Sequence, residues 1–153
     1  MKVIVDLQVA TEQANVPSLA QFEQWVSAAL PDTLPQVELT IRLVDTAEGT
    51  YLNETYRHKI GPTNILSFPF EYEEDDGLPI PLLGDLVICV PVMVAEAKAQ
   101  DKSLEFHWAH LVIHGTLHLL GYDHIQEQEA VVMEDLECSI LQTLGYPNPY
   151  GDR

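Results

Sequence analysis

Between residues 114 and 124 the chain reads His114-Gly-Thr-Leu-His118-Leu-Leu-Gly121-Tyr-Asp-His124, an H-x3-H-x2-G-x2-H spacing that few folds can accommodate. In an α-helix residues four apart lie one above the other on the same face, so His114 and His118 point the same way. Two imidazoles fill only part of a metal shell. His110, one turn before His114, would lie about 12 Å along the axis from His118 at about 1.5 Å per residue. A third ligand must therefore come from chain that has left the helix and turned back. Gly121 fits that turn, because glycine is the usual residue just past a helix end, where φ is positive. His124 follows on the return. The stretch is thus expected to be a helix and turn that bring His114, His118 and His124 to one metal ion.

The rest of the helix is apolar nearly all round, with Trp108, Leu111, Val112, Ile113, Leu117, Leu119 and Leu120 covering most of its circumference. Such a helix is normally buried, and buried imidazoles need partners. His107, His110, His114 and His118 fall within one stripe about 80° wide at about 100° per residue. His107 and His110 are read as core residues or as partners of the ligands rather than ligands themselves. Three histidines with no fourth protein ligand leave an open coordination position, the pattern of a catalytic zinc. The spacing also resembles the metzincin metalloproteases, H-E-x-x-H-x-x-G-x-x-H. Where those enzymes carry the general-base glutamate, this chain has Gly115. That departure counts against a protease.

A chain of 153 residues is expected to form one domain, 1–153, long enough to bury about two-thirds of its unfolded surface. Its 46% hydrophobic and 20% charged residues are ordinary for a globular protein. No apolar run approaches the roughly 20 residues of a membrane span, and Asp6 comes too early for a signal peptide. Cys89 and Cys138 make neither a disulfide framework nor a zinc pair, so the expectation is a reduced, cytoplasmic protein with no membrane partner. A net charge of −17 argues against non-specific coating of nucleic acid. The acids are unevenly spread: five of the 24 lie in 71–76, read as a solvated loop, and seven more follow Gly121. The only local basic cluster is Arg57-His58-Lys59, which would suit a highly local phosphate contact.

Strand and helix patterns alternate along the chain. Val3 to Val9 and Val37 to Val44 alternate as strands, the second with Val37, Leu39, Ile41 and Leu43 on one face. Ser18 with Gln21 reads as a capping box opening a helix through Leu30, and Asp45 with Glu48 opens another toward Arg57. Thr63–Tyr72 and Leu82–Val90 read as two strands around the acidic loop. Pro91 starts a short helix, Ser103 caps the histidine helix, and a last helix runs from about Gln126 to Leu144, ended by Gly145 and Pro147. The expected fold class is α+β: about four strands in one sheet packed with about five helices, one of them a zincin-like metal helix.

Four stretches carry a more specific likeness: Leu52-Asn53-x-x-Tyr56-Arg57, Thr63-Asn64-Ile65-Leu66-Ser67-Phe68-Pro69, Leu83-Gly84-Asp85-Leu86-Val87-Ile88, and His114 to His124. In order and spacing they resemble the YbeY family of bacterial rRNA-maturation endoribonucleases. The resemblance spans residues 52–124 and implies a metal-dependent, single-strand-specific endoribonuclease acting in 3′-end maturation of 16S rRNA and in ribosome quality control. Implied partners are single-stranded RNA, rRNA, and the small ribosomal subunit with its proteins or assembly factors. One departure is Asn64, where family members usually carry Asp; a role needing a carboxylate there, such as orienting Arg57, is put in question. Residues 1–45 and 126–153 are read only as scaffold.

The chemistry of the residues agrees in outline. A three-histidine site is expected to take one divalent ion per chain, with zinc first among ions that imidazole also suits, nickel, copper and iron. Such an ion lowers the pKa of water to about 7, and RNA offers its own 2′-hydroxyl as a second nucleophile, so neither route needs a glutamate at 115. Arg57 is the candidate catalytic residue, its planar fork matching a phosphoryl group, against the alternative of a solvated charge at a helix end. Asp85 is read as a buried hydrogen-bonding residue, and Asp123 as orienting a histidine or stabilising the turn. Two other classes stay open: another metal-dependent hydrolase, such as a peptidase, and a ribosome-assembly binding factor whose metal is structural.

Overall fold

The computed structural model describes residues 2–32, 36–70, 82–122 and 126–150. His124, Asp123 and the acidic stretch 71–76 lie outside the described residues. The elements follow the sequence patterns closely: β1 (Lys2–Ala10), α1 (Leu19–Ala29), β2 (Gln36–Val44), α2 (Thr46–Arg57), β3 (Ile65–Pro69), β4 (Leu82–Cys89), α3 (Val90–Ala99), α4 (Leu104–Leu119) and α5 (Glu127–Thr143). The result is a single-domain α+β fold with four described strands and five described helices.

The strands form one mixed sheet in the order β1-β2-β4-β3. β1 and β4 run parallel to β2, while β3 pairs antiparallel with β4, Leu66 opposite Val87. Strict alternation in β2 decides what each face meets. Val37, Leu39, Ile41 and Leu43 are at most 2% exposed and join the main core with Phe22, Trp25, Trp108 and Ile113. Phe22 packs edge-on against both Trp25 and Trp108, at 5.6 and 5.7 Å between ring centres. Side chains of this size, fully buried, contribute roughly 1.5–3 kcal/mol each. On the opposite face a smaller cluster, Val44, Leu66, Val87 and Cys89, takes Leu52 of α2.

Helix starts show which local signals governed. Ser18 accepts from the Gln21 N–H and the Gln21 side chain accepts from the Ser18 N–H, closing the expected capping box of α1. Ser103 caps α4 through the Phe106 N–H. Asp45 departs from expectation: its carboxylate accepts from the Thr11 hydroxyl and the Glu12 N–H, and Glu48 pairs with Arg42. Tertiary partners there outcompete the local box. Asp85 is exposed, a correction to its reading as a buried residue. Its neighbour Gly84 has φ +137° at a register shift opposite Glu38 and Leu39, and a Cβ there would fall on the Phe68 carbonyl oxygen. That close approach explains a glycine inside a strand.

Candidate active site

Helix α4 is buried on every side except one. Across Phe106–Leu119, His114 and His118 alone are not buried. Both face a cleft of about 690 Å³ between the end of α2, the segment 58–64, β3 and the end of α4. Their Nε2 atoms stand 3.1 Å apart and their rings are nearly perpendicular. The helix then stops in a glycine-dependent motif. The Gly121 N–H donates to the His118 carbonyl and the Tyr122 N–H to that of Leu117, with Gly121 at φ +103°. The turn expected at Gly121 is therefore present, and Tyr122 beyond it lines the same cleft, 39% exposed.

Arg57 lines this cleft from the opposite wall, together with Lys59. It is the last residue of α2, which ends where His58 turns left-handed at φ 57°, a conformation that histidine adopts more readily than most side chains. Buried Asn53 holds the following segment by donating to the Gly61 carbonyl at 2.8 Å. The Arg57 guanidinium donates from Nη2 to the Ser67 carbonyl and lies 5.3 Å from the centre of the Phe68 ring. It is thus seated on β3 by one hydrogen bond and one cation–π contact, and the residue is otherwise exposed.

Asn64 does not touch Arg57. Its amide donates to both oxygens of Glu96 at 3.0 and 3.3 Å, and its own oxygen accepts from the Ile65 N–H. Glu96 in turn meets His107 Nε2 at 3.1 Å. Two carboxylates would repel at the 64–96 contact, whereas an amide donates there. His107 is buried and is held below its ordinary pKa of 6.5 by desolvation, which outweighs the pull of Glu96. It belongs to the core, and His107 and His110 both lie away from the lining of the cleft.

One residue at the site is not singled out by any sequence motif. Glu137 of α5 is fully buried, and its carboxylate touches His114 Nδ1, His110 Nε2 at 3.2 Å and the Tyr150 hydroxyl. Burial alone would raise its pKa, but hydrogen bonds from His110, His114 and Tyr150 outweigh it and leave Glu137 at about 2. Burial and the neighbouring Glu137 push the Tyr150 hydroxyl up, so it stays a donor. Glu137 falls in the row Met133, Glu137, Leu141, one helical turn apart and all buried. A carboxylate inside an apolar row was the signal available in the sequence.

Among the described residues no three His, Cys, Asp or Glu side chains form a metal-holding group. The two imidazoles of the cleft are in place, and His124, expected to complete them, lies outside the described residues. Gly115 has a packing reason. A Cβ there would come within 2.7 Å of Ile65 Cδ1 and 2.8 Å of Leu86 Cδ2, because α4 lies directly on β3 and β4. A glutamate at 115, the position of a zincin's base, would enter that contact before it reached the cleft. No helix among the described residues is long and apolar enough to cross a membrane.

Two comparisons bear on this geometry. A family model described as Endoribonuclease YbeY matches residues 6–145. The solution structure of TM1509 from Thermotoga maritima is similar over 96% of this chain and 99% of its own, at 24% identity and a TM-score of 0.50, a likeness of fold.

Proposed function

The chain belongs to the YbeY endoribonuclease family, and on that premise we propose that it is a metal-dependent endoribonuclease cutting single-stranded RNA in the cleft between α2, β3 and α4. Its role is 3′-end maturation of 16S rRNA and ribosome quality control in the cytoplasm. The small ribosomal subunit, with its proteins or assembly factors, is the partner. The observation that carries this reading is that Arg57, His114 and His118, far apart in sequence, line one cleft.

His114 and His118, with His124, would hold one divalent ion, zinc by choice of ligand. Two nitrogens bound to one tetrahedral zinc at about 2.0–2.1 Å sit about 3.3 Å apart, and the observed 3.1 Å between the Nε2 atoms fits that edge. Glu137 adds a buried negative charge behind His114, met by imidazoles and a hydroxyl rather than by Lys or Arg. A buried anion so placed favours a cation beside it. When bound, the ion supplies a Lewis acid at the phosphoryl group.

The chain's own residues then divide the remaining work. Ser67 and Phe68 fix the Arg57 guanidinium, so its free N–H groups are preorganised for charge growing on a phosphoryl oxygen. Lys59 adds a second cation on the same wall. Tyr122 offers a ring on which an unpaired base can stack, a contact open to single strands and closed to a duplex. The chain carries Gly115, packed against Ile65 and Leu86, where a zincin carries its carboxylate base, which speaks against a peptidase.

Metal analysis of the purified protein tests this, joined to cleavage assays on a short single-stranded RNA, its duplex and an unstructured peptide. One zinc per chain and cutting of the single strand alone are expected, with metal and cleavage both lost in His118→Ala. Full metal occupancy in a variant lacking both His118 and His124, or hydrolysis of the peptide in place of RNA, would overturn the assignment.

A further inference from the structure

We propose that Glu137, with the Tyr150 hydroxyl behind it, is a positioning residue that fixes the tautomer of His114 and so turns its Nε2 lone pair into the cleft. The inference rests on the reading that His114 and His118 hold a metal ion, and it assigns a task to α5 and the segment after it.

Glu137 sits where an aliphatic residue would pack, between Met133 and Leu141 along the buried row of α5. A carboxylate in that position costs stability relative to a hydrophobic side chain of similar size. Its oxygens are nevertheless fully used, and unequally. Oε2 meets both the His110 ring and the Tyr150 hydroxyl, while Oε1 is left to His114 Nδ1. The division is built in, because Tyr150 is itself held. Asn148 Oδ1 accepts the Tyr150 N–H at 2.8 Å and the Cys138 thiol at 3.1 Å, and the Tyr150 ring stands edge-on to His110.

The consequence for His114 is chemical. An ionised carboxylate only accepts hydrogen bonds, so the contact at Oε1 puts the imidazole proton on Nδ1. A neutral ring with its proton there carries its lone pair on Nε2, the atom 3.1 Å from His118 Nε2 on the cleft side. Free imidazole in water prefers the opposite tautomer, with the proton on Nε2. Glu137 therefore reverses an intrinsic preference that would point a hydrogen, not a lone pair, at the ion. Tyr150 acts through Glu137: by occupying Oε2 it keeps the carboxylate from rotating away from His114.

The test reads the tautomer and the metal separately. Long-range proton–nitrogen correlation spectra of histidine-labelled protein, zinc-loaded and after chelation, report which His114 nitrogen bears the proton. Competition with a chromophoric chelator gives zinc affinity. Wild type is expected to hold the proton on Nδ1 with and without zinc. Glu137→Gln should move the chelated protein toward the Nε2–H tautomer and weaken zinc 10- to 100-fold. Tyr150→Phe, which removes one hydroxyl and keeps the ring, should shift the tautomer partly and weaken zinc several-fold. Should Glu137→Gln fail to fold, Tyr150→Phe decides alone: wild-type tautomer and zinc affinity in that variant would overturn the proposal. Zinc bound equally by wild type and Glu137→Gln with an unchanged tautomer would overturn it too, while leaving the metal reading standing. A wild type that holds Nδ1–H yet binds no zinc would overturn the metal reading and support the positioning.

Discussion

Four histidines on one stripe of α4 fall into three surroundings, and burial sorts them. His114 and His118 reach the cleft, His110 shares Glu137, and His107 is enclosed with Glu96. The spacing of His114 and His118 was legible because a helix forces residues four apart onto one face. Glu137 was not, being one acid among 24 in a segment that carries no motif; only its place in the buried row sets it apart. The environment of His107 has a measurable effect. Its folded pKa lies below the ordinary 6.5 because burial disfavours the imidazolium. The unfolded chain thus takes up the proton first, so this group's stability is present above about pH 6.5 and is lost as pH falls below it. The slope can reach about 1.4 kcal/mol per pH unit for one proton. Urea unfolding of chelated protein at pH 7.5 to 5.5 should therefore show a shallower loss in His107→Gln than in wild type. Parallel curves for the two proteins would show that His107 does not contribute to the pH dependence of stability.

At the scale of elements, the helices were legible where their caps are local, as at Ser18 and Ser103, and less so where a distant partner intervenes, as Thr11 does at Asp45. Strand alternation in 37–44 marked its buried face correctly because one face of β2 meets the main core. Strand order was beyond such reasoning: β4 lies between β2 and β3 through contacts that no local pattern encodes. The reason for Gly84 also became visible only with β3 beside it. Alanine there must adopt φ +137° and meet the Phe68 backbone, including its carbonyl oxygen. Strained backbone of this kind costs on the order of 1–3 kcal/mol before any clash is counted. Gly84→Ala should therefore lower the urea midpoint by an amount equivalent to more than about 2 kcal/mol. Because Ser67 and Phe68 seat Arg57, RNA cleavage should fall as well. An unchanged midpoint would mean that the β3–β4 contact is looser than described.

Over the whole molecule the distribution of charge is the feature that joins fold to activity. The chain carries −17, yet two of its seven Lys and Arg residues, Arg57 and Lys59, line the cleft that holds His114 and His118. A net negative chain disfavours non-specific coating of RNA, and the two cations of the cleft suit the local phosphate contact proposed above. The segments that bring the cations and the histidines together, α2 with its left-handed end and α4 with its Gly121 turn, are held by the sheet between them. In the function proposed above, Arg57 works on the phosphoryl group in that cleft. Single-turnover cleavage of a short single-stranded RNA by wild type, Arg57→Ala and Arg57→Lys, at metal contents shown to be equal, decides this role. Loss of one preorganised donor costs on the order of 3–4 kcal/mol, so Arg57→Ala should be slower by a hundredfold to a thousandfold. Arg57→Lys should recover only part of that, since an ammonium keeps the charge without the fork. Equal rates for all three proteins would make Arg57 a solvated charge at the end of α2 and place the phosphate contact elsewhere.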